Sequence, residues 1–227
     1  DMIWEAKKLK CVNPECAANP AGMLLTFFDY ADIKGIGEVE ARALVTAGID
    51  TFDKLIDDID KTIDLWKAAG YTKESAKALQ SNVIDALKNM WDYEFLGHCG
   101  IPGVGPETAK RGYMQCDDKI FCWISNVFST EYIYGSNVDI LRTNMNFASK
   151  YCKRSTPEYF ANLKSVGHTG GMPSKETQKV IRSLGWEIVD GKKFDYLIVP
   201  SYSHESTKTK VAKDKGIEMF TEEDFVE

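Results

Sequence analysis

No apolar run in this 227-residue chain approaches the roughly 18 residues that cross a bilayer, so no transmembrane helix and no membrane partner is expected. No stretch combines a basic start, an apolar core and a small-residue cleavage site, so a secretory signal is not expected either. Positive charge is in short supply: 28 Lys and Arg face 34 Asp and Glu, a formal net charge of −6. That balance counts against a protein that attracts polyanions by bulk potential. Basic residues dominate between Arg142 and Lys193, and acid collects earlier, at Asp50, Asp53, Asp57, Asp58 and Asp60. Any hold on an anion by the N-terminal part must therefore come from backbone amides and a few placed lysines. The six cysteines are scattered, and only Cys11 and Cys16 form a compact pair. Such usage fits a reducing cytoplasm better than a disulfide framework.

What is present is 44% hydrophobic residues and 27% charged ones, in a length that suits two small domains. The most informative stretch is Gly100-Ile101-Pro102-Gly103-Val104-Gly105-Pro106-Glu107-Thr108-Ala109-Lys110. Two close glycines permit positive φ and a near approach of the backbone to a ligand. Pro106 suits the first turn of a helix, where a missing N–H costs nothing. Such a turn aims free amides at an anion, helped by the helix dipole. A sibling runs from Ile33 to Ala41 with Gly35 and Gly37, and in both copies Ala lies four residues past the last Gly. Two single-glycine copies, at Trp66–Lys73 and Ile133–Asn137, are read as structural hairpins that do not grip.

Leu24 to Asn146 reads as successive helices. Ala41–Val45 is a helix stopped by Gly48, Thr51 caps the next, and Lys73–Met90 is a long amphipathic run. The apolar segment from Cys122 to Phe128 reads as a buried helix. His98-Cys99 has no partner at ligand spacing and reads as structural. Past Ser155-Thr156-Pro157 the pattern changes to strands at 165–168, 187–189, 196–199 and 217–220. These alternate with helices at 175–184, 208–215 and from 221, which predicts a small parallel sheet with helices on its faces.

The order of a Cys-x-Asn-x-x-Cys pair, a Gly-Ile-Pro-Gly-Val-Gly hairpin with its sibling, and a closing α/β module resembles the C-terminal half of NAD-dependent DNA ligases. In that family a four-cysteine zinc finger is followed by four helix-hairpin-helix motifs and a BRCT domain. The resemblance covers nearly the whole chain. It implies a multidomain fold: a partial zinc-finger segment at 1–22, an all-α helix-hairpin-helix domain at 23–150, a linker at 151–163 and a small α/β BRCT domain at 164–227. Carried over residue by residue, DNA contact falls on Gly35, Gly37, Gly103, Val104 and Gly105, with Lys110 and Arg111 nearby. In phosphate-binding BRCT domains a Thr-Gly after the first strand and a Lys opening the second helix hold the phosphate. Those positions are Thr169, Gly170 and Lys208. Trp186 departs from that pattern, standing where a second Gly is usual.

Zinc is implied at Cys11 and Cys16, but a closed structural site needs four ligands and no second compact pair is present. Either the finger is cut, or another polypeptide completes it, or the two thiols are free. The adenylation motif Lys-x-Asp-Gly is missing: the sole Asp-Gly is Asp190-Gly191, preceded at 188 by Ile. NAD and Mg2+ would act only through a separate catalytic half. The resemblance thus implies the DNA-clamping part or small subunit of a split ligase. It would hold nicked double-stranded DNA beside a catalytic subunit in replication and repair, in the cytoplasm of a bacterial or virus-infected bacterial cell. A second reading is a BRCT adaptor for phosphorylated proteins or DNA ends. A third, an accessory segment of a repair nuclease or polymerase, is disfavoured by the Cys pair ahead of the hairpins.

Overall fold

The computed structural model describes residues 2–5, 8–11, 18–101, 103–116, 122–123 and 136–226. The chain folds as two compact units, Asp1–Pro157 and Glu158–Glu227. The first opens with strands β1 (Met2–Glu5) and β2 (Lys8–Cys11), paired antiparallel. Helices follow: α1 (Ala18–Tyr30), α2 (Glu38–Thr46), α3 (Phe52–Ile56), α4 (Ile59–Ala68), α5 (Lys73–Asn89), α6 (Asp92–His98), α7 (Pro106–Cys116) and α8 (Ser136–Tyr151). Two features depart from the sequence reading. Strands β1 and β2 lie in the stretch assigned to the partial zinc-finger segment, and α1 starts at Ala18, inside that same stretch.

Apolar spacing explains the packing. In α1, Ala21, Leu24, Phe27 and Phe28 recur at helical intervals and all are buried. Phe27, Phe52 and Phe95 meet edge to face, with centroids 5.1 Å apart for Phe27–Phe52 and 4.9 Å for Phe52–Phe95. Phe147 joins them at 5.2 Å from Phe95, so one ring cluster ties α1, α3, α6 and α8 together. Each such pair adds about 1 kcal/mol beyond the area it buries. Helix α5 buries Ala76, Leu79, Val83 and Leu87 as one stripe. Thr51 Oγ1 accepts the Lys54 N–H and caps α3, as the sequence predicts.

Past α8 the chain returns to the start of α6. Lys153 N donates to Met90 O and Asp92 N to Lys153 O, both at 2.9 Å. Buried Asp92 then accepts hydrogen bonds from Ser155 N (3.1 Å), Ser155 Oγ and Tyr93 N (2.8 Å). Burial nevertheless outweighs these bonds and raises the Asp92 carboxyl to about 6.

Scattered cysteines weighed against a disulfide framework, and one pair corrects this. The end of α7 brings Cys116 to a Cα distance of 5.4 Å from Cys122, and the two form a disulfide. Cys99 stays free and buried, which pushes its thiol up to about 12, an inert group.

The second unit carries α9 (Pro157–Asn162), α10 (Lys175–Ser183), α11 (Thr207–Lys215) and α12 (Glu222–Val226) around β3 (Ser165–His168), β4 (Glu187–Val189), β5 (Tyr196–Ile198) and β6 (Glu218–Phe220). Helix α9 occupies much of the stretch read as a linker, with Pro157 opening it as a first-turn proline. The sheet order is β4-β3-β5-β6, every pair parallel, as the alternation of strands and helices predicts. Successive residues after Tyr196 point to opposite faces. Leu197 and Val199 join Phe194 and Ala212 on one side, and Ile198 joins Val166 and Ile181 on the other. Gly167 is required by packing, because a Cβ there would lie 2.7 Å from the Phe194 ring. Trp186, the departure noted in sequence, stacks on Tyr196 with centroids 4.7 Å apart.

Candidate nucleic-acid interface

Two connections of the N-terminal unit share one backbone path. Helix α1 ends with Ala31 N donating to Phe27 O and Ile33 N to Phe28 O, around Asp32 at φ +53°. Asp is one of the few non-glycine residues that tolerate this conformation. Gly35 follows at φ +84°, and Gly37 precedes α2. Helix α6 ends likewise at Gly100, φ +73°, followed by Gly103 at φ +75° and Gly105 before α7. Aligned on Gly37 and Gly105, both left-handed positions coincide. So do buried Ile33 and Ile101, and Ala41 and Ala109, each fully buried four residues into the helix. The first helical bonds match too: Ala41 N to Gly37 O at 3.0 Å, Ala109 N to Gly105 O at 2.9 Å. The repeated Ala is thus a packing position, small because the helices of a hairpin approach closely there.

The chemistry of the two tips differs. At the first, Glu40 Oε2 accepts the Gly37 N–H at 2.8 Å. Bonds from its own N–H and from Gly37 hold the Glu40 carboxyl below its ordinary value. Arg42 pairs with Glu38 at 2.7 Å on the exposed surface. At the second tip, Val104 N donates to Ile101 O at 3.0 Å, closing the turn, and Val104 is buried. The Gly105 N–H has no partner among the described residues, and a Cβ at Gly105 would meet nothing within 4 Å. Thr108 stands where the first hairpin has Glu40, and Lys110 and Arg111 lie one turn into α7. Amides, an open approach and two cations at a helix start form an arrangement that can receive an oxyanion.

The α4–α5 connection is built differently. Gly70 is left-handed at φ +89°, Tyr71 N donates to Trp66 O, and Thr72 caps α5 at once. The loop is three residues shorter than its siblings, and the Thr72 N–H is already held by Ser75 Oγ at 2.9 Å. Ala76, buried four residues past Thr72, keeps the packing position. Of the other single-glycine copy, Ile133 to Gly135 lie outside the described residues, and Ser136 begins α8.

In the second unit, Thr169 and Gly170 follow β3 and Lys208 lies in the first turn of α11. Lys208 Nζ donates to His168 O at 2.8 Å, so the fold brings the three residues together. Thr169 N donates to Ile198 O at 3.2 Å, and Thr169 Oγ1 sits 3.3 Å from His204 Nε2. Gly170 is left-handed at φ +83° and packed on the Pro200 ring. Sequence reasoning missed His204, since a lone histidine in a serine-rich loop carries no spacing signal. His168 Nδ1 lies 2.8 Å from Gly171 O, and its Nε2 lies 2.7 Å from Asp190 Oδ1 without hydrogen-bond alignment. Asp190, the residue of the lone Asp-Gly, therefore serves a structural pairing.

Cys16 and the Cys11 side chain lie outside the described residues. Among those described, no group of three or more His, Cys, Asp or Glu could hold a metal, and no helix is long and apolar enough to cross a membrane. A family model for a SAM-like helix-hairpin-helix tandem matches residues 27–88, from the end of α1 to the end of α5. That span contains the Ile33–Ala41 hairpin and the short α4–α5 one, and the helix-hairpin-helix reading holds for it. No curated protein and no solved structure matches the chain.

Proposed function

We propose that this chain is a DNA-clamping element that holds the phosphate backbone of duplex DNA without reading sequence, as the non-catalytic part of an NAD-dependent DNA ligase. The observation that carries the reading is the set of left-handed and buried positions the two hairpins share, one lying in a matched helix-hairpin-helix tandem and the other ending in a Gly105 amide that has no partner among the described residues, near Lys110 and Arg111 in sequence. Backbone amides and a few cations suit phosphate contact, which positions a protein on DNA but carries no base information. They also reconcile DNA binding with a net charge of −6. The contacting residues are Gly103, Gly105, Lys110 and Arg111, with Val104 holding the tip between the two glycines through its bond to Ile101 O, and with Gly35 and Gly37 at the sibling. Strand sealing would belong to a separate adenylation domain or subunit, which would also handle NAD and Mg2+. Zinc would take Cys11 and Cys16 as two of its four ligands, the rest coming from another segment.

A second reading attaches to the C-terminal unit, where Thr169, Gly170 and Lys208 converge. A hydroxyl, a backbone amide and an ammonium suit a phosphoryl group, so a BRCT-type adaptor role toward phosphorylated proteins or DNA ends is the alternative. Fluorescence anisotropy separates the two. Salt-dependent binding of a nicked duplex, weakened by Gly103→Val and unchanged by Lys208→Met, supports the clamp. Binding of a phosphopeptide with no affinity for DNA contradicts it. The ligase assignment is tested by nick sealing: an adenylation half of such a ligase seals faster with this chain present, and equal rates with and without it refute that part.

A further inference from the structure

We infer that Glu40 is an internal competitor for the anion position of the first hairpin, so the Ile33–Ala41 hairpin is shut while the Gly100–Lys110 hairpin is open. This rests on reading the hairpins as phosphate grips and assigns them unequal parts. The two tips share their left-handed positions, their buried Ile and their buried Ala, so a phosphate would meet the same amide geometry at both. At the first, the space in front of the Gly37 N–H holds a carboxylate oxygen at 2.8 Å. At the second, the equivalent Gly105 N–H has no partner among the described residues and the equivalent side chain is Thr108.

Charge follows the same division. Glu38 is neutralised locally by Arg42, whereas Glu40 has a hydrogen-bonded amide in place of a counter-ion. From 33 to 43 two glutamates face one Lys and one Arg, and over the matching 101 to 111 one glutamate faces the same pair of cations. A glutamate reaching back to the helix start is an ordinary capping device. Here it sits in the one place where capping and phosphate binding exclude each other. DNA thus engages the second hairpin first, and the first only when its glutamate swings out.

The test uses the full chain with two probes. Inorganic phosphate, titrated against amide NMR spectra, shifts the Gly105 resonance of the wild type and leaves Gly37 still; in Glu40→Ala both move. A duplex DNA is then titrated at several salt concentrations. Glu40→Ala removes one negative charge from beside the phosphate, so it steepens the fall of log K with log salt by up to about 0.9 and tightens binding by up to about eightfold at about 0.1 M salt. Glu40→Gln, which drops the charge but keeps an acceptor on the amide, gains less. Thr108→Glu installs the same plug in the open hairpin and flattens the slope by about the same amount. Equal gains in Glu40→Ala and Glu40→Gln, or a Gly37 amide that answers phosphate in the wild type, overturn the inference. Wild-type protein that ignores DNA while its Gly105 amide answers phosphate refutes the DNA reading and leaves the phosphate result to judge Glu40.

Discussion

Asp92 should make the N-terminal unit more stable in mild acid than at neutral pH, against the habit of most carboxylates. Its side chain is only 2% exposed, and burial raises its carboxyl from 3.8 to about 6 despite three hydrogen bonds. A folded value above the unfolded one means the fold binds the proton more tightly. The associated stability is therefore complete below the unfolded value and is lost as pH rises through about 6. A difference of about 2 units corresponds to about 3 kcal/mol of penalty at pH 7. Glu40, Asp60, Glu222 and Asp224 are held below their ordinary values and act in the opposite sense, losing stability as pH falls. The contribution must accordingly be read as a difference between variants. Asp92→Asn keeps the acceptor for Ser155 and removes the ionisation. Urea unfolding should show it more stable than wild type by up to about 3 kcal/mol at pH 7.5, the gain shrinking toward zero near pH 4. Carbon-13 NMR of the carboxyl reads the titration directly. An Asp92 that titrates near 4, or a variant whose advantage does not change with pH, refutes the reasoning.

Gly112→Ala places a Cβ 2.5 Å from the Trp123 ring, so overpacking should cost about 2 kcal/mol, read as a lowered melting temperature. Mass spectrometry after alkylation should find Cys116 and Cys122 protected until a reductant is added, and Cys99 reactive only on unfolding. Reduction should lower stability by about 2 kcal/mol, given the short loop the disulfide closes; a freely alkylated Cys122 in unreduced protein contradicts the bond.

The second unit was the most legible part of the sequence. Its strands announce themselves by short β-branched and aromatic runs, as in Tyr196-Leu197-Ile198, separated by capped helices such as Ser206–Lys215, whose Ser206 Oγ accepts the Thr209 N–H. Hairpin positions were legible because glycine at positive φ leaves a mark in sequence, as at Gly35, Gly70 and Gly103. Asp32 adopts the same conformation without glycine and could not be seen. Whether a hairpin amide is free was also hidden. Glu40 and Thr108 look like ordinary first-turn residues until the backbone register puts them at equivalent places. The aromatic cluster of Phe27, Phe52, Phe95 and Phe147 was invisible for a different reason, since its members are remote in sequence and only tertiary packing joins them. The Cys116–Cys122 pair escaped notice because cysteine spacing alone does not reveal where a helix ends.

The central claim is that backbone amides at the second hairpin receive DNA phosphates. Titration of isotope-labelled protein with a nicked duplex tests it most directly through the amide resonances of Gly103, Val104 and Gly105. The account predicts that these three shift most in the N-terminal unit, in step with binding and reversed by added salt. Unmoved resonances at those three residues, with DNA bound elsewhere on the chain, would contradict it.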